Sequence, residues 1–452
     1  FLVPNNSIDN LLASISIPSN SQNLWVGYSG GVDSHVLLHV LDSFAREHNL
    51  NLTAIHINHG LSNKAKEWAE HCLSVCNIMN VKMQLIEIDA TAPKGESPEA
   101  WARAMRYDAI RKLISDEDLL YTAHHKDDVV ETLLLQLFRG AGPAGLSAMP
   151  AKARFGKGWH CRPLLGFSRS QLEEYARNSH LIWIEDESNQ DDKFDRNFLR
   201  NNIMPAIKNR WPGVIETVSR AAGHQAQASE LLNELAKRDM ADIIHKPSGC
   251  LDIKSLVRLS KPRMANTIRY WLKHKGLTLP AEKHLARIFI DIVDAREDAS
   301  SCVSWQGTEV RRYRNLMFAS IPLPDISDRQ KGISWDLQQI CTLPIGELQA
   351  IETKGSGLKA AKCRDKVVSV RFRSKGELIM HAGHHHSLNK LFQEYGIAPW
   401  YRNYVPLIYI DNKLVEVAGV CIDDDFRAIN SEDSWLVVWT ESDNVNLGIN
   451  VN

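Results

Sequence analysis

The segment SGGVDS (29–34) lies between an apolar run, Leu24 to Val26, and a helical pattern from His35 to His48. Gly30 and Gly31 let backbone amides approach a ligand, with Val32 next in line. The following helix turns its free N–H groups and positive dipole end to the same place. Ser29 and Ser34 add hydroxyls, so the stretch reads as a cradle for a pyrophosphate. It lacks the lysine of a Walker loop and holds a carboxylate, Asp33. A carboxylate beside phosphates makes sense when Mg²⁺ joins them, because that ion is held by one or two carboxylates together with substrate phosphates. The competing expectation is a plain strand-turn-helix connection with Ser34 as its cap.

A second loaded segment is HHKDDVVE (124–131). His124, Asp128 and Glu131 fall at i, i+4 and i+7, one face of a helix that begins early enough. Two carboxylates and an imidazole can hold a cation or take a proton; acids that serve a helix dipole are the structural alternative. Glu99, Arg103 and Arg106 share another face, and Arg139 ends the second segment's helix, placed to clamp phosphate or to remain solvated. His381 and His384 to His386 fit no zinc template and read as a polar loop. The eight cysteines include no C-x-x-C pair, and Cys72 and Cys76 read as packing thiols, which argues against a metal or iron–sulfur site.

Short β-rich runs at 24–28, 51–58, 81–89 and 119–125 each precede an amphipathic stretch, the third of these entered through Ser97 as cap and Pro98. Four such units predict an α/β fold, a doubly wound parallel sheet whose ligands bind outside the carboxyl ends of the strands. SGGVDS, HINHG (56–60) and AHHKDD (123–128) all start at strand ends, hence on one rim. Beyond them we expect a hairpin around Phe155 to Gly158, a helix from Ser168 to Asn178 and a strand at 181–186. The organisation reads as a catalytic domain over 1–210, a helical middle domain with a linker helix over 211–325, and a small α+β domain over 346–440.

A formal charge of −1 over 452 residues excludes a uniformly basic nucleic-acid binder. RNA contact must come from local patches: Lys254, Arg258, Lys261, Arg263, Arg269 and Lys273; then Arg311, Arg312 and Arg314 with Tyr313; then Arg371, Arg373, Lys375, Lys390 and Arg402 near Trp400 and Tyr401. Solvated surface charge is the alternative for each. No run approaches the roughly 18 apolar residues of a membrane span, and no signal-peptide pattern is present, so a cytoplasmic location is expected.

SGGVDS is similar to the PP-loop of the N-type ATP pyrophosphatases, which cleave ATP between the α and β phosphates. HINHGL (56–61), EAWARAMRY (99–107), AHHKDDVVETLLLQLFRGAGPAGLSAM (123–149), RPLL (162–165), RNFLR (196–200) and APWYRNYVPL (398–407) together resemble the tRNA(Ile)-lysidine synthetases. The resemblance implies ATP as co-substrate bound by Ser29 to Ser34, with Asp33 on Mg²⁺ through phosphate. It implies His124 or His125 with Asp128 and Glu131 around the lysine substrate and the reacting centre, and Arg106, Arg139 and Arg196 steadying anionic groups. The implied partners are free L-lysine and a CAU-anticodon tRNA(Ile); a homodimer is compatible with it and a membrane is not involved. Val129 departs from the family's glutamine. A tRNA thiolase on the same loop would need a reactive cysteine, for which Cys161 is the candidate. An amidotransferase synthetase needs a glutaminase-like cysteine at the start of the chain, and none is there. A non-catalytic RNA-binding module is the third alternative, with the intact carboxylates against it.

Overall fold

The computed structural model describes residues 23–58, 60, 64–89, 91–93, 98–185, 191–246, 248–296, 301–326, 332–374 and 376–441, without the side chains of 98–100. His59, Ser97, Lys375 and the side chain of Glu99 lie outside the described residues. Two compact units divide at Leu231 and Leu232, inside the 30-residue helix Val214–Ile243.

The first unit is built on β1 (Asn23–Gly27), α1 (Val32–Glu47), β2 (Asn51–Asn58), α2 (Ala65–Met79), β3 (Lys82–Glu87), α3 (Pro98–Arg111), β4 (Leu119–Tyr121) and α4 (Lys126–Phe138). The sheet runs β3-β2-β1-β4 with every pair parallel. β4 is buried at all three residues, as a central strand covered on both faces must be. Val36, Leu37, Val40, Leu41 and Phe44 of α1 pack into that core, joined by Cys72 and Cys76 of α2, both inaccessible.

Two expectations change here. The hairpin of β5 (Lys152–Phe155) and β6 (Gly158–Cys161) is the far edge of the main sheet, because β6 pairs parallel with β4. Gly158 makes that possible: a Cβ there would meet Asp118 O at 2.4 Å. The expected strand at 181–186 joins no ladder within its described residues, 181–185. Its Ile184 N–H donates instead to Gly30 O at 3.0 Å, so the run lies against the glycine loop.

In the second unit, the middle segment is not only helical. An antiparallel sheet of five strands, with Ile244–His245 at one edge and Cys302–Trp305 at the other, packs with Lys261–His274 around Ile268, Trp271 and Leu272. The C-terminal segment is β-rich with one longer helix, Leu388–Glu394. His381 and His384 to His386 fall in a hairpin, not a loop, because Ala382 and Gly383 take the positive φ that a tight turn requires.

Several basic residues read as RNA contacts have structural partners. Arg263 pairs with buried Asp239, Arg311 with Glu309 at 2.8 Å, and Arg402 donates to Ile397 O. Tyr401 is core. Arg312 is buried and donates to the carbonyls of Ile292, Val293 and Ala295. Arg312→Ala is therefore expected to lower stability by about 2–3 kcal/mol in chemical denaturation, since a charged donor is lost and carbonyls are left unpaired.

Candidate active site

β1 delivers the chain to the rim and Tyr28 fixes it there, with its ring buried and its N–H on Ile55 O at 2.8 Å. Gly30 takes φ +87°, and a Cβ on it would sit 3.0 Å from Cys72 Sγ, so only glycine fits. α1 starts at Val32, three residues earlier than its apolar periodicity indicates, and Gly31 caps it without a side chain. The first-turn amides stay directed at the loop. Ser34 is a brace and not a free donor: its Oγ donates to Gly31 O at 2.9 Å and accepts from Ser29 N–H at 3.2 Å. Ser29 Oγ lies 3.1 Å from it.

Asp33 stands in the first turn of α1. Its Oδ1 is buried with no hydrogen-bond partner, and its Oδ2 lies 3.6 Å from His125 Nε2. A buried, unpartnered carboxylate oxygen beside an anion cradle fits a divalent cation. Among the described residues no group of three or more His, Cys, Asp or Glu side chains is arranged to hold a metal ion.

His125 joins this loop to the second cluster. It is the residue before α4; its N–H binds Asp128 Oδ2 at 3.0 Å, and its Nε2 is 3.4 Å from the same oxygen. Its Nδ1 is 3.8 Å from Asp127. Burial alone would lower the imidazole pKa, but the bond to Asp33 and the charges of Asp128, Asp33 and Asp127 raise it on balance. The reverse holds for Asp128, where burial opposes ionisation and His125 overcomes it, leaving the carboxyl below its usual range.

Glu131 is clamped by Arg200, Nε to Oε1 and Nη2 to Oε2, both at 2.7 Å. Arg200 also reaches Asp128 Oδ1 at 3.3 Å, and Arg196 Nε lies 3.5 Å from Glu131 while its Nη2 binds Thr132 Oγ1. Asp127 turns away and ties two helices, accepting from Lys208 Nζ and from Arg169 N–H, both at 2.9 Å. Between them lies a cavity of about 70 Å³ lined by His125, Asp127, Glu131, Arg200, Met204 and Lys208.

The rim therefore unites Asp33, His125, Asp128, Glu131 and Arg196. His124 does not share the helix face expected for it, because the helix begins after it; its Nδ1 bonds Thr122. Arg139 is exposed and paired with Asp195 at 3.8 Å, apart from the carboxylates, and Arg106 is exposed on α3. His56 is buried with Nδ1 on Tyr28 O, a structural bond. Arg200 was not foreseen as the clamp, although it follows Arg196 by four residues. A π-turn at Leu199–Ile203 sets which arginine reaches Glu131.

Residues 4–207 match the PP-loop domain family, 251–317 the TilS substrate binding domain and 368–439 the TilS substrate C-terminal domain. A tRNA(Ile)-lysidine synthase from Coxiella burnetii is 40% identical over 433 residues, 95% of this chain and 96% of its own. One from Legionella pneumophila strain Paris is 40% identical over 421 residues, covering 92% and 95%. The chain belongs to the tRNA(Ile)-lysidine synthase family. A U34-tRNA thiolase from Methanococcus maripaludis covers 48% of this chain and 76% of its own at 16% identity and TM-score 0.40, too distant to argue from. Within the tRNA(Ile)-lysidine synthase frame, the loop and the carboxylate cluster both fall in the segment matched as PP-loop domain, whose family uses ATP. Among the described residues no helix is long and apolar enough to cross a membrane.

Proposed function

We propose that this chain forms lysidine in tRNA(Ile), joining free L-lysine to C2 of the first anticodon cytidine of the CAU-anticodon tRNA with ATP cleaved to AMP and pyrophosphate, in the cytoplasm. The observation that carries the mechanism is the Asp33–His125–Asp128 bridge, which puts an anion cradle and a carboxylate pair within one contiguous group of charged side chains.

The cytosine 2-carbonyl is a poor electrophile. Attack of its oxygen on the α-phosphorus of ATP expels pyrophosphate and turns that oxygen into a leaving group. The ε-amine of lysine then forms the C2–N bond and AMP departs. Mg²⁺, held by Asp33 through phosphate oxygens, would supply charge neutralisation when bound. The chain's own groups do the rest. The first-turn amides of α1 bind the phosphates. His125, whose pKa the neighbouring carboxylates raise, favours positive charge on the cradle side. Asp128 and Glu131 favour a cationic amino acid, and one of their carboxylates accepts the proton that an amine of pKa about 10.4 must lose before it attacks. Arg200 holds both carboxylates in place.

The deciding assay incubates the protein with ATP, Mg²⁺, labelled lysine and an unmodified CAU-anticodon tRNA(Ile) transcript. RNA-bound label with AMP release is expected. ADP in place of AMP, or no bound label on a competent transcript, sinks the reading. The thiolase alternative needs a thiolate at Cys161, whose thiol burial pushes up. Cys161→Ala should leave lysine incorporation within about twofold of wild type, against the complete loss that a catalytic thiol would give.

A further inference from the structure

Three hydrogen bonds run in line behind His124. Arg162 Nη2 lies 3.0 Å from His160 Nδ1, His160 Nε2 lies 2.7 Å from Thr122 Oγ1, and Thr122 Oγ1 lies 2.8 Å from His124 Nδ1. The far end is anchored, with Arg162 Nη1 on Pro150 O at 2.7 Å. Tyr107 and Phe155 pack on the His160 ring with centroids at 5.6 and 5.8 Å.

A guanidinium has donors only, so it gives the row a direction. His160 Nδ1 must accept from Arg162, which places the proton of that ring on Nε2, and Nε2–H donates to Thr122 Oγ1. The threonine hydroxyl has one proton, and the remaining acceptor within its reach is His124 Nδ1. Were His124 protonated there instead, the hydroxyl hydrogen would have no protein acceptor among the described residues. His124 Nδ1 therefore accepts, and its ring proton sits on Nε2, which no protein group among the described residues hydrogen-bonds.

We infer that Arg162, His160 and Thr122 are positioning residues that lock His124 as a neutral Nε2–H donor to an acceptor atom of the substrate. Resting on the function proposed above for the substrate's identity, this divides labour between adjacent histidines: His125 contacts Asp33 and Asp128, and His124 gives a hydrogen bond and takes no proton. The surroundings agree. Burial, with the charges of Arg162, Arg103 and Arg196, takes His124 down to about 4 against the upward pull of Asp128. Burial and Arg162 take His160 to about 3.

The test is the ¹⁵N spectrum of the full chain labelled only at histidine, with His124 assigned by its absence from H124N. The expected wild-type pattern is Nε2–H with a hydrogen-bonded Nδ1, unchanged down to about pH 5. In Thr122→Val the Nδ1 resonance should move to that of a nitrogen without a hydrogen bond. The kcat of lysine incorporation should fall about tenfold, with the KM for ATP and for lysine within about twofold. Thr122→Ser should restore both readouts, which a packing role for the methyl group would not produce. An Nδ1–H tautomer or an imidazolium at pH 7 in the wild type overturns the inference, as does an unchanged His124 spectrum in T122V. If T122V does not fold, the wild-type spectrum decides alone. A wild-type Nε2–H signature in a chain that forms no lysidine upholds the lock and overturns the proposed function.

Discussion

Arg200→Ala is expected to cost about 3 kcal/mol of stability in chemical denaturation and to abolish lysine incorporation. Glu131 loses a two-bond clamp and Asp128 loses its guanidinium contact at 3.3 Å. Glu131 is almost inaccessible, so its charge is left buried and unpaired, the situation in which breaking a pair is most costly. The figure sits at the low end of that range because a quarter of the Arg200 side chain is open to water. Burial would lower the guanidinium pKa, but the bond to Glu131 and the charges of Glu131 and Asp128 raise it, so the cation is present at every working pH. Arg200→Lys should recover part of the stability and little of the rate, since one ammonium cannot make two parallel bonds. Arg196→Ala, with its 3.5 Å approach to Glu131 and one bond to Thr132, should cost roughly 1 kcal/mol. A result in which R196A is the more damaging of the two would show that the clamp is misassigned.

That comparison marks where the sequence is legible and where it is not. Glycines at a strand end followed by a helix define an anion site by backbone chemistry alone, so SGGVDS reads correctly without any packing knowledge. The parallel order β3-β2-β1-β4 follows from four β–α repeats for the same reason. Arg200 is different, because i and i+4 arginines are equivalent on a regular helix and only the π-turn between Asp195 and Arg210 chooses one. Ser34 looks like a ligand donor until its Oγ is seen to be spent on Gly31 and Ser29. The run at 181–185 has strand composition, yet what it contacts is Gly30, a partner 154 positions earlier that no local pattern reveals. Arg312 was legible and was counted by charge alone: Thr308, Val310 and Arg312 alternate on one buried face of their strand, which already places the guanidinium inside.

Asp33→Asn should leave the fold intact and reduce AMP formation by about 10³-fold. The amide is nearly isosteric and the Asp33 side chain is partly exposed, so the circular dichroism spectrum is expected to stay near wild type. The chemistry loses two things together. Oδ1, buried and unpartnered, is the oxygen that fits a cation at the phosphates, and an amide oxygen binds Mg²⁺ far less well than a carboxylate. Oδ2 belongs to one of the three carboxylates that raise the His125 pKa, with Asp128 and Asp127 the others. Removing it lowers the His125 pKa. In the wild type that pKa is raised above its unfolded value, so the cation's contribution to stability is complete below the unfolded value near 6.5 and fades as pH rises through the folded one. The residual rate of D33N should therefore fall off at a lower pH than the wild-type rate, a displacement that loss of the cation site alone does not produce. Removing one charged stabiliser from a transition state of this kind is worth about 10²–10³ in rate, and the shared loss places the expectation at the upper end. Pyrophosphate release measured across pH reads both effects. An unchanged rate, which is what a purely RNA-binding module with a vestigial loop would give, removes Asp33 from the reaction.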